Sequence, residues 1–222
     1  AVNPLHALIR ESIQNISDAA KNGNGPKIAI NVRRLTDEQQ KIMREKMFTQ
    51  MPHPQAESSV KNLKAFLAKQ NPIVLEICDF NTTGLGGPVR ADKIPEGEED
   101  TDFIDFLRNI GSPRDTPQGG GTYGFGKVSL YRMSQCSTIL VDTQISQKYR
   151  DNRRLIACHV GDSYRVPEAG YQNNYTGRHW WGVADDSNEK FVDPVTNESA
   201  KQLSESLGMP RRDINDTGTS IM

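Results

Sequence analysis

The sequence predicts an α/β fold, a two-layer sandwich in which a mixed β-sheet carries its helices on one face. Three observations point there. Segments with apolar residues at helical spacing are interleaved with short runs that alternate or are continuously apolar. Their order, α-β-α-α-β, a long loop, then α-β-β-β-α-β, suggests a mixed sheet. At 222 residues the chain is also long enough to bury a sizeable core.

Residues 4–22 place Leu5, Leu8, Ile9, Ile13, Ile16, Ala19 and Ala20 on one helical face, and Pro4 suits a first turn. Lys21-Asn22-Gly23-Asn24-Gly25-Pro26 ends that helix. Ile28, Ile30 and Val32 alternate through a strand from Lys27 to Leu35. Thr36 and Gln39 form a capping-box pattern that opens a helix reaching about Phe48. Pro52 and Pro54 break the chain, and 57–70 reads as a second polar helix before Asn71-Pro72. Ile73 to Cys78 is a near-continuous apolar strand of the kind buried on both faces. From Phe80 to about Gly121 Gly, Pro and acidic residues dominate, including Glu96-Gly97-Glu98-Glu99-Asp100, with one short helix at 102–110. A stretch this long with so little structure is expected to be functional or mobile. A glycine cluster then leads into a helix of about 124–133. Strands follow near 136–143, 154–161 and 177–184, then a helix near 198–207 stopped by Gly208 and Pro210.

Composition narrows the partners. Lys plus Arg number 27 against 28 Asp plus Glu, a net charge of −1 that excludes a wholesale basic footprint for nucleic acid. Mean hydropathy is −0.64 and no apolar run approaches ~18 residues, so no transmembrane helix is expected, and no signal peptide opens the chain. Cys78, Cys136 and Cys158 are widely spaced in apolar contexts, and read as reduced core thiols of a cytoplasmic protein. The chain begins without Met and closes on Thr219-Ser220-Ile221-Met222, which reads as the opening of a strand. A single domain cut from a longer protein is therefore expected.

Four patterns bear on chemistry. Glu11, Asn15 and Asp18 share one stripe of the first helix, about 120° from the middle of its apolar face. A carboxylate there can orient and deprotonate a water, and an amide oxygen one turn on can ligate a hard cation such as Mg²⁺. Asp79 stands at the carboxyl end of the apolar strand, placed to accept from an exocyclic amine, with Gly84, Gly86 and Gly87 beyond it letting a flat ring approach the backbone. Gly119-Gly120-Gly121-Thr122-Tyr123-Gly124-Phe125-Gly126-Lys127 puts glycine amides at a helix start, an anion cradle to which Lys127 adds a charge. Gly121 to Lys127 fits GxxxxGK, but Val128 stands where a P-loop needs Ser or Thr, and no buried strand precedes it. Gly218-Thr219 enters the last strand. Each pattern also has an ordinary reading: a solvated helix face, a strand-ending turn, a glycine turn without ligand. His179-Trp180-Trp181 reads as packing, and the 96–102 acidic run as a solvated segment.

In sequence order the four patterns resemble the motifs of the GHKL (Bergerat-fold) ATPases. That superfamily includes DNA gyrase, the ninety-kilodalton heat-shock chaperones, histidine kinases, MutL and the microrchidia ATPases. The resemblance spans essentially the whole chain. It implies a Bergerat ATP-binding fold with Glu11 as general base and Asn15 as Mg²⁺ ligand. Asp79 would recognise the adenine amine, supported by Thr219 through water. Gly121, Gly124 and Gly126, with Thr122, Tyr123, Phe125 and Lys127 among them, would lie under the phosphates, and 85–118 would form a lid. Asp18 matches a mainly structural position. The family places Gly two and four residues after the adenine-binding Asp. Here Asn81 stands two after Asp79 and Gly84 five after, so the loop carries an extra residue. Asp-x-x-Thr-Thr-Gly-Leu resembles a less studied prokaryotic branch, and the long span from Asp18 to Asp79 reads as an insertion of two polar helices. The implied activity is Mg²⁺-dependent ATP hydrolysis coupled by lid closure to homodimerisation or to a following domain. A histidine-kinase-type catalytic domain and a nucleotide switch without hydrolysis are the alternatives.

Overall fold

The computed structural model describes residues 3–21, 25–109, 123–146, 148–185 and 188–222. Helix α1 (Pro4–Asp18) begins on Asn3, whose side chain accepts the Leu5 N–H. Strand β1 (Lys27–Arg34) leads to α2 (Asp37–Ile42), where the capping box is complete: Gln39 N–H donates to Thr36 Oγ1 and Thr36 N–H to Gln39 Oε1. A π-helical turn (Met43–Met47) extends α2, and α3 (Glu57–Ala68) returns the chain to β2 (Ile73–Phe80). A second π-helical turn (Ile104–Arg108) precedes α4 (Tyr123–Met133), β3 (Thr138–Gln144) and β4 (Arg153–Val160). Short strands follow: β5 (Tyr164–Glu168), β6 (Tyr171–Tyr175), β7 (Arg178–Trp181), β8 (Val183–Asp185), β9 (Asn188–Asp193) and β10 (Val195–Thr196). Helix α5 (Asn197–Ser206) and β11 (Gly218–Ile221) close the order.

The main sheet runs β1-β2-β11-β3-β4-β10, with β7 also on the outer edge of β4. Every pairing among the described strands is antiparallel, so the expected mixed sheet is corrected. The connections explain it. Two helical passes between β1 and β2 reverse the chain once more than a single crossover helix would, and β3 reaches β4 by a short turn.

Side chains alternate across the sheet, and the two apolar clusters lie on its opposite faces. Leu140, Leu155 and Ala157 pack with Met43, Met47, Leu63, Leu67, Ala200 and Leu207. Ile139, Val141, Ile156 and Cys158 pack instead with Phe103, Leu107 and Tyr131. Helical segments therefore cover both faces, α2, α3 and α5 on one and α4 with the 104–108 turn on the other, rather than one face as expected. The chain is an α/β sandwich with an antiparallel sheet.

Part of the segment expected as a lid is packed against the core. Phe103, Ile104 and Leu107 are buried, and their apolar spacing anchors 85–109 beneath its acidic run. Arg154 donates to the Leu85 carbonyl at 3.1 Å and lies over the Phe103 ring at 5.1 Å, while Arg108 donates to the Val192 carbonyl at 2.6 Å. Residues 110–122 lie outside the described residues. The β5–β6 hairpin was not expected. Its Ala169-Gly170 turn has positive φ at both positions (49° and 85°), the geometry that matches strand twist in a two-residue hairpin loop. Trp181 is buried in the first cluster with its indole N–H donating to the Gln50 carbonyl at 2.5 Å, so the Trp pair packs as expected.

One buried ion pair ties the layers together. Arg153 Nε and Nη2 donate to Asp142 Oδ1 and Oδ2 at 2.7 and 2.6 Å, and Ser204 Oγ donates to Oδ2 at 2.6 Å, joining β3, β4 and α5. Burial pushes the Asp142 carboxyl above its ordinary pKa against the pull of Arg153 and Ser204. Asp142→Ala strands the Arg153 guanidinium in the core and is expected to cost about 3–5 kcal/mol in urea unfolding, whereas replacing both residues by apolar ones of similar volume recovers most of that loss.

Candidate functional site

The site grows from the end of β2. Asp79 is the penultimate residue of that strand, and β11 pairs alongside with Ser220 opposite Cys78. Asp79 Oδ1 accepts the Thr219 N–H at 3.0 Å and the Thr82 hydroxyl. Among the described residues Oδ2 accepts no hydrogen bond. The approach of β11 requires Gly218: its φ is 150°, and a Cβ there would stand 2.3 Å from the Asp79 carbonyl oxygen and 2.7 Å from Oδ1.

The turn after β2 is pinned on three sides. Toward α1, Lys21 N–H donates to the Asn81 carbonyl at 3.1 Å and Thr83 N–H to the Ala19 carbonyl at 2.9 Å. Toward β3, Leu85 N–H donates to Thr143 Oγ1 at 2.9 Å, and Thr143 Oγ1 lies 3.0 Å from Thr219 Oγ1. Gly84 has φ 70°, with a Cβ there meeting the Gln144 carbonyl oxygen at 2.6 Å. Toward β11, the Thr217 hydroxyl donates to the Thr82 carbonyl. Asn81, the residue that departs from the expected glycine pattern, has φ 61°, a left-handed conformation that Asn tolerates better than other side chains with a Cβ.

Behind the strand, Arg212 Nη2 donates to the Asp79 carbonyl at 2.6 Å and to Ser220 Oγ at 2.9 Å, with its guanidinium 4.3 Å from the Phe80 ring centroid. Its Nε and Nη1 are buried without a partner in the described structure. Burial raises the Asp79 carboxyl above its ordinary pKa, and Thr82, Thr219 and Arg212 pull the other way without cancelling it.

The other expected residues stand apart from this node. Glu11 is half-buried, its side chain 13% exposed, and accepts from the largely exposed Arg10 at 3.0 Å. Asn15, one turn on, is exposed, as is Asp18. Among the described residues neither Glu11 nor Asn15 hydrogen-bonds to the Asp79 node; α1 reaches it through the backbone bonds at its carboxyl end. Helix α1 also packs on α4, whose first turn holds Tyr123, Gly124, Phe125, Gly126 and Lys127 as helical backbone. Gly121 and Thr122 lie outside the described residues, as do the side chains of 123–127.

No three His, Cys, Asp or Glu side chains gather into a metal-holding group among the described residues. The exposed Asn15 amide suits Mg²⁺, which keeps waters and ligand phosphates and needs few protein oxygens. His159 and His179 are core groups with pKa values lowered by burial, His179 to about 4 with His159 beside it.

Thr82, Thr143 and Arg212 were not among the expected site residues. Thr143 and Arg212 are brought in by tertiary pairing, and nothing in their local sequence marks them, whereas Thr82 bonds Asp79 locally, three residues on. No protein-family model, curated protein or solved structure matches this chain. Among the described residues no helix is long and apolar enough to cross a membrane.

The raised pKa gives a stability prediction. A carboxyl held above its unfolded pKa favours the fold fully below the unfolded value and loses that contribution as pH rises through the folded one. At neutral pH the ionised Asp79 therefore costs stability. Asp79→Asn keeps an acceptor for Thr82 and Thr219, so without ligand it is expected to melt at or above the wild-type temperature at pH 7, the difference shrinking in acid. Gly218→Ala, whose added methyl meets backbone, is expected to lose about 1–3 kcal/mol by the same measurement.

Proposed function

We propose that this chain binds ATP with Mg²⁺ and hydrolyses it, and that nucleotide binding is coupled to homodimerisation or to a following domain. The observation that carries the reading is the Asp79 carboxylate: one oxygen accepts from Thr82 and Thr219, and the other accepts from no donor among the described residues, at a strand end. An ionised acceptor in a desolvated setting selects a ligand that donates, as the adenine amine does, and disfavours a carbonyl in its place. GTP is therefore a poor ligand on this reading.

The remaining roles follow from chemistry. Asn15 would hold Mg²⁺ by its amide oxygen, the ion screening the phosphate charge. The first turn of α4, with Gly124 and Gly126, would offer backbone amides to the phosphates, and Lys127 a positive charge. The Gly84 backbone and Thr219 would border the base. Glu11 would orient and deprotonate the attacking water. Phosphoryl transfer asks mostly for positioning and electrostatic stabilisation, which is what such a set supplies.

The Arg10–Glu11 pair favours one second reading, a nucleotide switch in which Glu11 is structural. Arg10 is largely exposed, so the pair is weak and easily broken, which leaves the hydrolase reading ahead.

Calorimetry and phosphate release test the assignment in two steps. Asp79→Asn is expected to weaken ATP binding roughly 10–100-fold, the worth of a hydrogen bond to a charged group, and unchanged affinity sinks the adenine assignment. Glu11→Ala is expected to bind ATP as wild type does while turnover falls by ~10²–10⁴-fold. Wild-type protein that binds ATP and releases no phosphate leaves the switch.

A further inference from the structure

A row of polar side chains crosses the face of the sheet that carries Asp79. Strand pairing sets Thr219 against Thr143 and Thr143 against Arg154. One step along from the Ser220–Cys78 pair brings Thr219 beside Asp79. Residues paired in this way share a face, so the row reads carboxylate, hydroxyl, hydroxyl and guanidinium from β2 to β4. Burial differs along it. Thr143 is 0% exposed and Thr219 6%, so Thr143 can reach a ligand only through Thr219.

The surroundings decide which way the two hydroxyls point. Each has one proton to give and can accept two bonds. Thr143 Oγ1 accepts the Leu85 N–H at 2.9 Å, and its own proton has two takers in reach, Thr219 Oγ1 at 3.0 Å and the Gly218 carbonyl at 3.3 Å. The Gly218 carbonyl already stands in the β3–β11 ladder. Met222 and Leu140 exchange both backbone bonds, and such pairs recur every second residue, at Ser220–Asp142 and Gly218–Gln144. The Thr143 proton therefore goes to Thr219 Oγ1, the nearer and less occupied acceptor. That leaves the Thr219 hydroxyl free to donate, since Thr143 is its one side-chain partner among the described residues. The Leu85 peptide holds the arrangement from the other side: its N–H occupies Thr143, and its carbonyl accepts from Arg154 at 3.1 Å. Gly84 lets that peptide come so close, a Cβ there standing 3.0 Å from Thr143 Oγ1.

We infer that Thr143 is a positioning residue for base recognition: it makes the Thr219 hydroxyl a donor beside the Asp79 carboxylate, whose Oδ2 accepts no bond among the described residues. Acceptor and donor side by side read a ligand edge that sets an amine next to a ring-nitrogen lone pair, directly or through a water. Adenine carries that edge. Hypoxanthine and guanine carry a carbonyl and a ring N–H there, the reverse sense at both positions, so each would leave a buried polar group of the site unpaired. This inference rests on the nucleotide reading above and assigns how the same site selects its base.

Calorimetry with ATP and with 1-deaza-ATP, which keeps the amine and replaces the ring nitrogen by C–H, isolates the role. Wild type is expected to bind ATP roughly 3–10-fold more tightly than 1-deaza-ATP, the worth of one neutral hydrogen bond. Thr143→Ser keeps the relay and that preference. Thr143→Val breaks the relay, and the preference is expected to vanish. A purely structural loss would instead weaken both ligands equally and leave the preference intact. Thr143→Cys, a weak S–H donor of similar size, is expected to show a reduced preference and stands in should the valine variant fail to fold. A wild-type preference in Thr143→Val or Thr143→Cys overturns the inference, as does wild-type protein that binds both ligands equally; in each case ATP binding leaves the nucleotide reading standing. Wild-type protein that binds neither ligand overturns both.

Discussion

A four-residue strand has to pass between β2 and β3 close to a desolvated carboxylate, and much of the molecule is arranged around that passage. Strand β11 joins the β1–β2 half of the sheet to the β3–β4 half. It can lie there only because residue 218 lacks a side chain, since any Cβ would collide with the Asp79 backbone. The close approach brings Thr219 N–H onto Asp79 and the Thr219 hydroxyl onto Thr143. The joint that closes the sheet and the node that forms the candidate site are thus the same few atoms, and a change to one alters the other.

The two faces of the sheet carry different loads. On the face of α2, α3 and α5, apolar packing surrounds the Arg153–Asp142–Ser204 group, whose polar atoms satisfy one another in the core. Such a group specifies how strands and helix dock, at a desolvation cost that its geometry offsets. The opposite face holds the anchored 85–109 segment and α4, with α1 packed on α4, and it is the face on which Asp79 and Thr219 present their side chains. Arg212 links the two sides. It reaches from behind β2 to the Asp79 carbonyl, and its Nε and Nη1, buried without a partner among the described residues, cost stability.

What could be read in the sequence was what local chemistry determines. The Thr36–Gln39 capping box, the apolar run of β2, the Pro4 start of α1 and the glycine stop after α5 all sit where their residues place them. Strand direction was misread, because periodicity carries no sign and the two helical passes between β1 and β2, though visible in the sequence, were not used to decide it. The anchoring of 85–109 was hidden by composition: three apolar residues at 103, 104 and 107 outweigh the acidic run before them once a core is there to receive them. Asn81, where the resemblance expects glycine, holds a left-handed conformation that is available to Asn as well as to Gly. Thr143 and Arg212 could not be found by spacing, being 64 and 133 positions from Asp79 in sequence, whereas Thr82, three residues on, lies in the quoted Asp-x-x-Thr pattern.

The carboxylate itself is the hardest feature to account for by folding alone. Its two protein partners are both donors to one oxygen, a task that an amide or hydroxyl oxygen performs without carrying charge. Burial works against its ionised form more strongly than its hydrogen bonds and Arg212 support it. A strand end that needed only to be tied to β11 would be better served by Asn or Thr, and the neighbouring threonines show that this chain uses hydroxyls freely for that purpose. Among the described residues its second oxygen accepts no hydrogen bond, and perturbed groups of this kind gather at functional sites. The surrounding arrangement has the same bias: Gly218 removes a side chain from beside the carboxylate, and the Thr82 hydroxyl and the Thr219 N–H hold its orientation. Asp79 is thus held on one oxygen by Thr82 and Thr219 and, among the described residues, open to a donor on the other.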